Sequence, residues 1–219
     1  MQVKICGLTN LEDAWVAVEA GADLLGFILY TKSPRYTPPE QIGAITQAIR
    51  DRAGEQAPRF VGVFVDATVD QLVDAMQVAG LDYAQLQGAE SPEVLAALDG
   101  RAYKALRPTS VADAQEAAER YANLGTPDGP RLLIDAYDPH EYGGTGKKAD
   151  WHAAAALARA YPRLMLAGGL TPSNVAQAIR TVQPWAVDVA SGVESAPGRK
   201  DHDAVRAFVA RAKQEEPTP

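Results

Sequence analysis

The sequence has little of what several classes of protein need. Its single cysteine, Cys6, excludes an intramolecular disulfide and a cysteine-cluster metal site, and it fits a reducing compartment. Only 21 Lys and Arg stand against 28 Asp and Glu, and the net charge of −7 argues against a generic nucleic-acid or anionic-membrane surface. No apolar run has the length of a transmembrane helix, and the opening "MQVKICGLTN" has no signal-peptide core. We therefore expect a cytoplasmic globular protein that binds neither nucleic acid nor membrane.

Eight short apolar runs alternate with Ala-rich amphipathic stretches. Apolar runs without strict alternation are typical of strands buried on both faces of a parallel sheet. Eight strand–helix units in a chain of this length predict a (β/α)₈ barrel. A doubly wound open sheet is the alternative, but it usually has fewer strands, and no G-x-G-x-x-G turn follows the first run. The predicted strands are 3–6, 24–29, 59–65, 83–87, 101–107, 131–136, 164–169 and 186–191. The predicted helices are 11–20, 39–51, 69–79, 92–99, 111–122, 149–160, 172–181 and 201–213.

The predicted architecture is a single α/β domain, a TIM barrel over residues 1–213. Residues 214–219 form a polar, Pro-containing end that we expect to be frayed. No insertion has the length of a second domain. The longest connections are 30–38 and 136–148, and long loops in a compact α/β protein usually serve function.

Two residues at predicted strand ends are candidates for proton transfer, because barrel active sites lie at the carboxyl ends of the strands. Cys6 ends the first strand, and its thiol is a base if a nearby cation lowers its pKa. The alternative is a small buried apolar residue. Asp135 ends the sixth strand, where partial burial favours a general acid, although a turn-forming Asp is the common alternative. Together they suit proton transfer on a small substrate without a metal.

Two charged side chains near the first strands have predicted partners. Lys4 shares a strand face with Cys6, and a buried ammonium group needs a carboxylate. Asp188, in the neighbouring eighth strand, is the candidate, and we interpret this pair as structural and electrostatic. Arg35 lies in a stiff segment between two bulky residues and is suited to bind a carboxylate or stack on an aromatic ring.

Two Gly-rich segments, 167–175 and 191–201, follow the seventh and eighth strands. Backbone N–H groups in such turns cradle phosphate, and this is the usual phosphate site of these barrels. A third segment, "GGTG" at 143–146, is interpreted as a mobile cover or as a flexible linker. The three histidines show no metal-ligand spacing, and His152 and His202 are expected to face solvent.

Several motifs, in order along residues 3–201, resemble the phosphoribosylanthranilate isomerase family. They are "KICGLTN" (4–10), "GADLLGFILYTKSPRY" (21–36), "DYAQLQG" (82–88), "LLIDA" with "GGTGKKADW" (132–151), "LAGGLTPSNV" (166–175) and "DVASGVESAPGRKD" (188–201).

The resemblance implies a (β/α)₈ barrel that performs an Amadori rearrangement of N-(5-phosphoribosyl)anthranilate, an aldose–ketose isomerisation in tryptophan biosynthesis. It implies no cofactor, because no redox step occurs, and a phosphosugar substrate. The Ala-rich helices are compatible with either a monomer or a homodimer. Carried over by motif, the general base is Cys6, the general acid is Asp135, the contact to the anthranilate moiety is Arg35, and the phosphate ligands are the backbone groups of Gly168, Gly169, Ser191 and Gly192.

Two positions depart from the family's usual motifs. Gln87 replaces a common His, which removes an ionisable group. Either this His is not a proton carrier or the enzyme is slower or altered, and we favour the first because Cys6 and Asp135 supply both proton roles. Ala190 replaces a common Ser, with little expected effect. The isomerase of histidine synthesis is the nearest alternative, but its first strand ends in Asp rather than Cys. A non-catalytic phosphate-binding barrel is the other alternative, and it would be expected to lack Cys6 or Asp135.

Overall fold

A computed structural model describes residues 1–108, 110–135 and 151–215. The predicted cover at 143–146, His140 and most of the predicted frayed end lie outside these ranges.

Eight parallel strands close into a barrel in chain order, which confirms the predicted fold class. The closure is made by the first and last strands, where Lys4 lies opposite Asp188 in the register. Side chains of each strand alternate between the barrel interior and the surrounding helices. The strands are β1 (Gln2–Ile5), β2 (Leu24–Ile28), β3 (Arg59–Phe64), β4 (Tyr83–Leu86), β5 (Ala102–Leu106), β6 (Leu132–Asp135), β7 (Leu164–Ala167) and β8 (Ala186–Val189).

Helices follow the strands and cover the barrel. Local sequence explains their ends: Thr68 and Gln71 form a reciprocal capping box on the third helix, and Gly21 and Gly80 end helices in the left-handed conformation. Among the described residues, no helix has the length and apolarity needed to cross a lipid bilayer. The helices are α1 (Leu11–Ala20), α2 (Pro39–Ala53), α3 (Val69–Ala79), α4 (Pro92–Ala97), α5 (Val111–Tyr121), α6 (Trp151–Ala160), α7 (Val175–Val182) and α8 (His202–Gln214).

The buried side chains form two apolar clusters. The larger one fills the space between the barrel and the helices. The smaller one fills the barrel interior and includes Leu24, Val61, Tyr103 and Met165. The inward cluster lies below the carboxyl ends of the strands, so it forms the floor on which a site at the barrel mouth rests.

Two local features differ from the sequence prediction. Helix α7 begins at Val175 instead of residue 172, because the N–H of Thr171 donates to Asn174 Oδ1 and the residues between them form a turn. The loop after β8 contains a short 3₁₀ turn (Ser191–Val193) and a hairpin of β9 (Glu194–Ala196) and β10 (Arg199–Lys200), none of which was predicted.

Candidate active site

A cavity of about 450 Å³ opens at the carboxyl ends of the barrel strands. All seven residues that the sequence and the resemblance assign to the site line it. They are Cys6, Arg35, Asp135, Gly168, Gly169, Ser191 and Gly192. Sequence reasoning did not assign a role at the site to Gln85 or Arg107, which also line the cavity. The period of two along β4 and β5 was the available indication, because it points these side chains inward.

Cys6 lies at the end of β1 with only 5% of its surface exposed. Gly26 on β2 makes room for it, since a Cβ atom there would lie 2.7 Å from Cys6 Sγ and 2.9 Å from Lys4 Cε. Glycine inside a strand often marks such a close approach. Any larger residue at position 26 would displace the thiol from the cavity wall.

A buried polar layer lies directly beneath the thiol. Lys4 Nζ donates to Asp188 Oδ2 at 3.0 Å and to Gln85 Oε1 at 2.8 Å, and the Tyr103 hydroxyl donates to the same amide oxygen at 2.9 Å. Burial is the largest effect and by itself lowers the pKa of Lys4, but the charge of Asp188, together with the smaller effects of Cys6, Tyr103 and the hydrogen bond to Asp188, outweighs it and the pKa is raised. Lys4 is therefore a permanent cation, and its predicted pairing with Asp188 is confirmed.

A second buried ammonium group, that of Lys200 in β10, binds the backbone next to the thiol. Its Nζ donates to the carbonyl oxygens of Cys6 at 2.7 Å and Ala190 at 3.0 Å, and to Glu194 Oε1 at 3.1 Å. Burial lowers the pKa of Lys200, and the charge of Glu194 opposes that effect. Lys200 and Glu194 were not identified from the sequence, because the hairpin that turns them inward was not predicted.

The pKa of the Cys6 thiol is raised in this environment. Burial is the largest cause, and Asp188 acts in the same direction. The charges of Lys4 and Lys200 lower the pKa but do not compensate for the burial. The sequence analysis considered a thiol pKa lowered by a nearby cation, and this condition is not met. Cys6 carries its proton at neutral pH.

Arg35 binds a carboxylate of the protein itself. Its Nε and Nη2 donate to Glu194 at 2.8 and 2.7 Å, respectively. Burial raises the pKa of Glu194, but the hydrogen bond from Arg35 and the charge of Lys200 outweigh it and hold the pKa below its ordinary value. The Arg35 stem packs on Gly7, where a Cβ atom would lie 2.8 Å from Arg35 Cδ. These contacts fix the guanidinium at the cavity edge, and its contact to a ligand stays a prediction.

Asp135 lies at the end of β6, and 25% of its side chain is exposed. Arg107, at the end of β5, places its Nε 3.8 Å from Asp135 Oδ2. This contact is an ion pair that is longer than a hydrogen bond. The carboxyl group lines the same cavity as the thiol, from β6 instead of β1.

The loops after β7 and β8 are in direct contact. Gly168 and Gly169 have φ of 97° and 61°, which favour glycine. A Cβ atom on Gly192 would lie 1.8 Å from the carbonyl oxygen of Leu170, so only glycine allows this approach. Asn174 Nδ2 donates to the Gly169 carbonyl and anchors the turn. The two loops form one backbone-lined wall of the cavity.

His202 was expected to face solvent, but only 32% of its side chain is exposed and its ring binds a carboxylate. Its Nε2 lies 2.8 Å from Asp13 Oδ1, and the other oxygen of Asp13 accepts the backbone N–H of Lys200 at 3.0 Å. Burial raises the pKa of Asp13, but these hydrogen bonds outweigh it and the pKa is lowered. The contact joins α8 to α1 and supports the hairpin that carries Lys200. His152 is exposed, as predicted.

The chain is similar to known isomerases over its whole length. The family model described as N-(5'-phosphoribosyl)anthranilate (PRA) isomerase matches residues 3–211. An N-(5'-phosphoribosyl)anthranilate isomerase of Geobacter sp. (strain M21) is 47% identical over 216 residues, 97% of this chain and 98% of the relative. The solved phosphoribosyl anthranilate isomerase of Thermotoga maritima is 39% identical, with a TM-score of 0.86, and covers 98% of this chain and 100% of its own.

Two further solved structures describe a ligand and an assembly. One is phosphoribosyl anthranilate isomerase in complex with reduced 1-(o-carboxyphenylamino)-1-deoxyribulose 5-phosphate, 36% identical with a TM-score of 0.83, covering 98% of this chain and 100% of its own. The other concerns monomers generated from the dimeric enzyme of Thermotoga maritima, 36% identical with a TM-score of 0.82 and the same coverage.

Proposed function

The chain belongs to the N-(5'-phosphoribosyl)anthranilate isomerase family and is an isomerase of tryptophan biosynthesis, and we propose that Cys6 and Asp135 carry its two proton transfers. The reaction is the Amadori rearrangement of N-(5'-phosphoribosyl)anthranilate to 1-(2-carboxyphenylamino)-1-deoxyribulose 5-phosphate. The observation that carries the proposal is the shared cavity, in which a thiol and a carboxyl group reach the same space from β1 and β6.

The first proton transfer opens the sugar ring. Asp135 donates its proton to the ring oxygen, and the bond between that oxygen and C1 breaks. The electron pair of the substrate nitrogen forms the new double bond to C1, so the product of this step is a positively charged Schiff base. The partly exposed position of Asp135 at the cavity wall allows it to reach the ring from one side.

The second proton transfer takes place at C2. The Cys6 thiolate removes the C2 proton, and the electron pair moves toward the iminium nitrogen to give a neutral enolamine. The enolamine then gains a proton at C1 and loses one from its 2-hydroxyl group, which yields the aminoketone. The positive charge of the Schiff base favours the thiolate at the moment when the base is needed, because opposite charges lower a thiol's pKa.

Binding groups at the rim hold the substrate between the two proton carriers. The proposed phosphate ligands are the backbone groups of Gly168, Gly169, Ser191 and Gly192. Their wall of close-packed loops offers N–H donors without a side-chain charge. Arg35 is proposed to contact the anthranilate moiety. Such positioning supplies much of the rate that a single acid and base do not.

The pH dependence of turnover tests the pairing of the two groups. A carboxylic acid ordinarily loses its proton at far lower pH than a thiol. In the reactive form, Asp135 holds the proton and Cys6 is ionised. In the dominant form, the proton is on the Cys6 sulfur and Asp135 is ionised. The two forms therefore carry the same number of protons. Its share of the protein is therefore independent of pH until the thiol of the dominant form ionises.

We expect kcat/KM for N-(5'-phosphoribosyl)anthranilate to stay level through neutral pH and to fall only above about pH 8.5, the ordinary thiol pKa, because burial raises the pKa of Cys6. Steady-state assays between about pH 6 and about pH 10 measure it. A steady rise of kcat/KM across neutral pH would contradict the role of Asp135 as acid. Turnover of the histidine-pathway substrate alone would contradict the proposed reaction.

Replacing Gly192 with alanine should raise KM at least about tenfold, the loss that follows from one displaced charge-assisted hydrogen bond. The added methyl would collide with the Leu170 carbonyl and force the β7 and β8 loops apart. Steady-state kinetics measure KM, and thermal unfolding records any general loss of stability. An unchanged KM in a folded variant would place the phosphate elsewhere.

The setting of the enzyme is also a proposal. The cytoplasm keeps a lone thiol reduced, which supports that location for a protein whose base is Cys6. The monomer and the homodimer both fit the sequence, and sedimentation at assay concentration distinguishes them. Residues 1–213 are proposed to form the folded domain, with 214–219 as its frayed end.

A further inference from the structure

The backbone that carries the thiol is held by a buried cation of the short hairpin after β8. Lys200 is only 5% exposed, and its Nζ donates to the carbonyl oxygens of Cys6 and Ala190. Cys6 follows β1 and Ala190 closely follows β8, so one ammonium group joins the ends of the two strands that close the barrel. Lys200 is not among the described residues that line the cavity. Its contacts are therefore with the backbone beside the thiol.

The charges around the thiol do not cancel on the side of the hairpin. Beneath the thiol, Lys4 and Asp188 form an ion pair without net charge. At the hairpin, the carboxylate of Glu194 faces two cations, because Arg35 Nη2 lies 2.7 Å and Lys200 Nζ 3.1 Å from its oxygens. Two cations and one anion leave one excess positive charge, and it lies beside Cys6.

The other groups around the thiol add no excess charge. Burial raises the pKa of Tyr103, which keeps its hydroxyl neutral. Asp135 and Arg107, on the β6 and β5 side of the cavity, form an ion pair of their own. Within the described part of the chain, the charged or titratable groups that act on Cys6 or hold its neighbours are Lys4 of β1, Asp188 of β8, Tyr103 of β5, Arg35 after β2, and Glu194 and Lys200 of the hairpin.

Stability alone is a poor explanation for this buried ammonium group. Removing a charge from water costs free energy that an ion pair often fails to recover. Lys200 directs one hydrogen bond to the carbonyl of the very residue that the proposed function makes the base. A positive charge at this place favours the thiolate over the thiol, because only the thiolate is charged.

We propose that Lys200 is a positioning residue of the reaction, which fixes the backbone at Cys6 and stabilises the thiolate that removes the C2 proton. This inference rests on the proposed function and adds the cation that allows a buried thiol to ionise. Lys4 is a weaker candidate, because Asp188 balances its charge. The charge of Lys200 also opposes the effect of burial on the pKa of Cys6.

The single cysteine allows the thiolate to be measured without turnover. Iodoacetamide alkylates the ionised thiol, and mass spectrometry gives the rate for Cys6 alone because the chain has no other cysteine. Rates between about pH 7 and about pH 11 give a profile whose midpoint reports ionisation and whose plateau reports access to the thiol. The proteins compared are the unchanged chain, Lys200→Met, Lys200→Arg and Arg199→Met. Arg199→Met is the matched control, because it removes the same charge from the exposed neighbour in the same strand.

We expect Lys200→Met to move the alkylation profile to higher pH, because loss of the cation makes the thiolate less stable. The rate at about pH 8.5 should fall about tenfold, the smaller end of the effect of a neighbouring opposite charge. For N-(5'-phosphoribosyl)anthranilate, kcat should fall by a similar factor and KM should stay within about twofold. Lys200→Arg should restore both rates to within about threefold, and Arg199→Met should match the unchanged chain.

Two results would overturn the inference and leave the proposed reaction intact. One is an unmoved midpoint in Lys200→Met, and the other is a normal kcat in a variant whose profile has moved. Lys200→Gln is the second variant if Lys200→Met does not fold, because glutamine keeps a donor and Glu194 keeps its hydrogen bonds from Arg35. It should move the profile in the same direction. Normal turnover by Cys6→Ser would instead overturn the proposed function.

Discussion

Replacing Cys6 with serine should lower kcat by about 10²- to 10⁴-fold, the usual contribution of one acid–base group, and leave the barrel folded. A hydroxyl group is similar in size and keeps the packing against Gly26, but it holds its proton far more tightly than a thiol. The C2 proton then has no base. Steady-state turnover of N-(5'-phosphoribosyl)anthranilate measures the loss.

Binding distinguishes a lost base from a damaged site. Cys6→Ser should bind the reduced product analogue within about threefold of the unchanged protein, because the binding groups lie on other strands. Its thermal unfolding should remain a single cooperative transition. Normal turnover by Cys6→Ser would show that another residue removes the C2 proton.

Asp135→Asn is expected to have a loss of similar size, about 10²- to 10⁴-fold in kcat. The amide has the shape of the carboxyl group but no acidic proton, so the ring oxygen departs without protonation. Asp70→Asn is the matched control, since Asp70 is exposed in the first turn of α3 and is not among the described residues that line the cavity. It should keep full activity.

The acid and the base also differ in what should rescue them. An open-chain substrate analogue needs no ring opening, so Asp135→Asn should process it better than the ring form, whereas Cys6→Ser should fail on both. Rapid-mixing assays with the two forms measure this difference. If Asp135→Asn is equally defective on the ring form and the open-chain form, Asp135 acts in a step later than ring opening.

The barrel and the positions of the two proposed proton carriers were predictable from the sequence, for a physical reason. Strands buried on both faces leave continuous apolar runs, and the residue that ends such a run lies at the barrel mouth. Cys6 and Asp135 were found in this way, and both line the cavity. Helix α7 shows the limit, because the side chain of Asn174 bonds back to Thr171 and delays the helix by three residues.

The rest depended on contacts that join distant parts of the chain. Lys200 reaches the Cys6 carbonyl across 194 positions, and no local pattern encodes such a contact. The raised pKa of Cys6 is a balance between burial and four charges or hydrogen bonds, which only coordinates resolve.

The hydrogen bond from Lys200 to the end of β1 has a consequence for the order in which the site forms during synthesis. The strand that precedes Cys6 is made well before β8, its barrel neighbour, and before Lys200, which lies 194 positions after Cys6. The surroundings of the thiol are therefore completed only after β8 and the hairpin that carries Lys200 have been made. Until then, the proposed base lacks the neighbours that hold it at the barrel mouth.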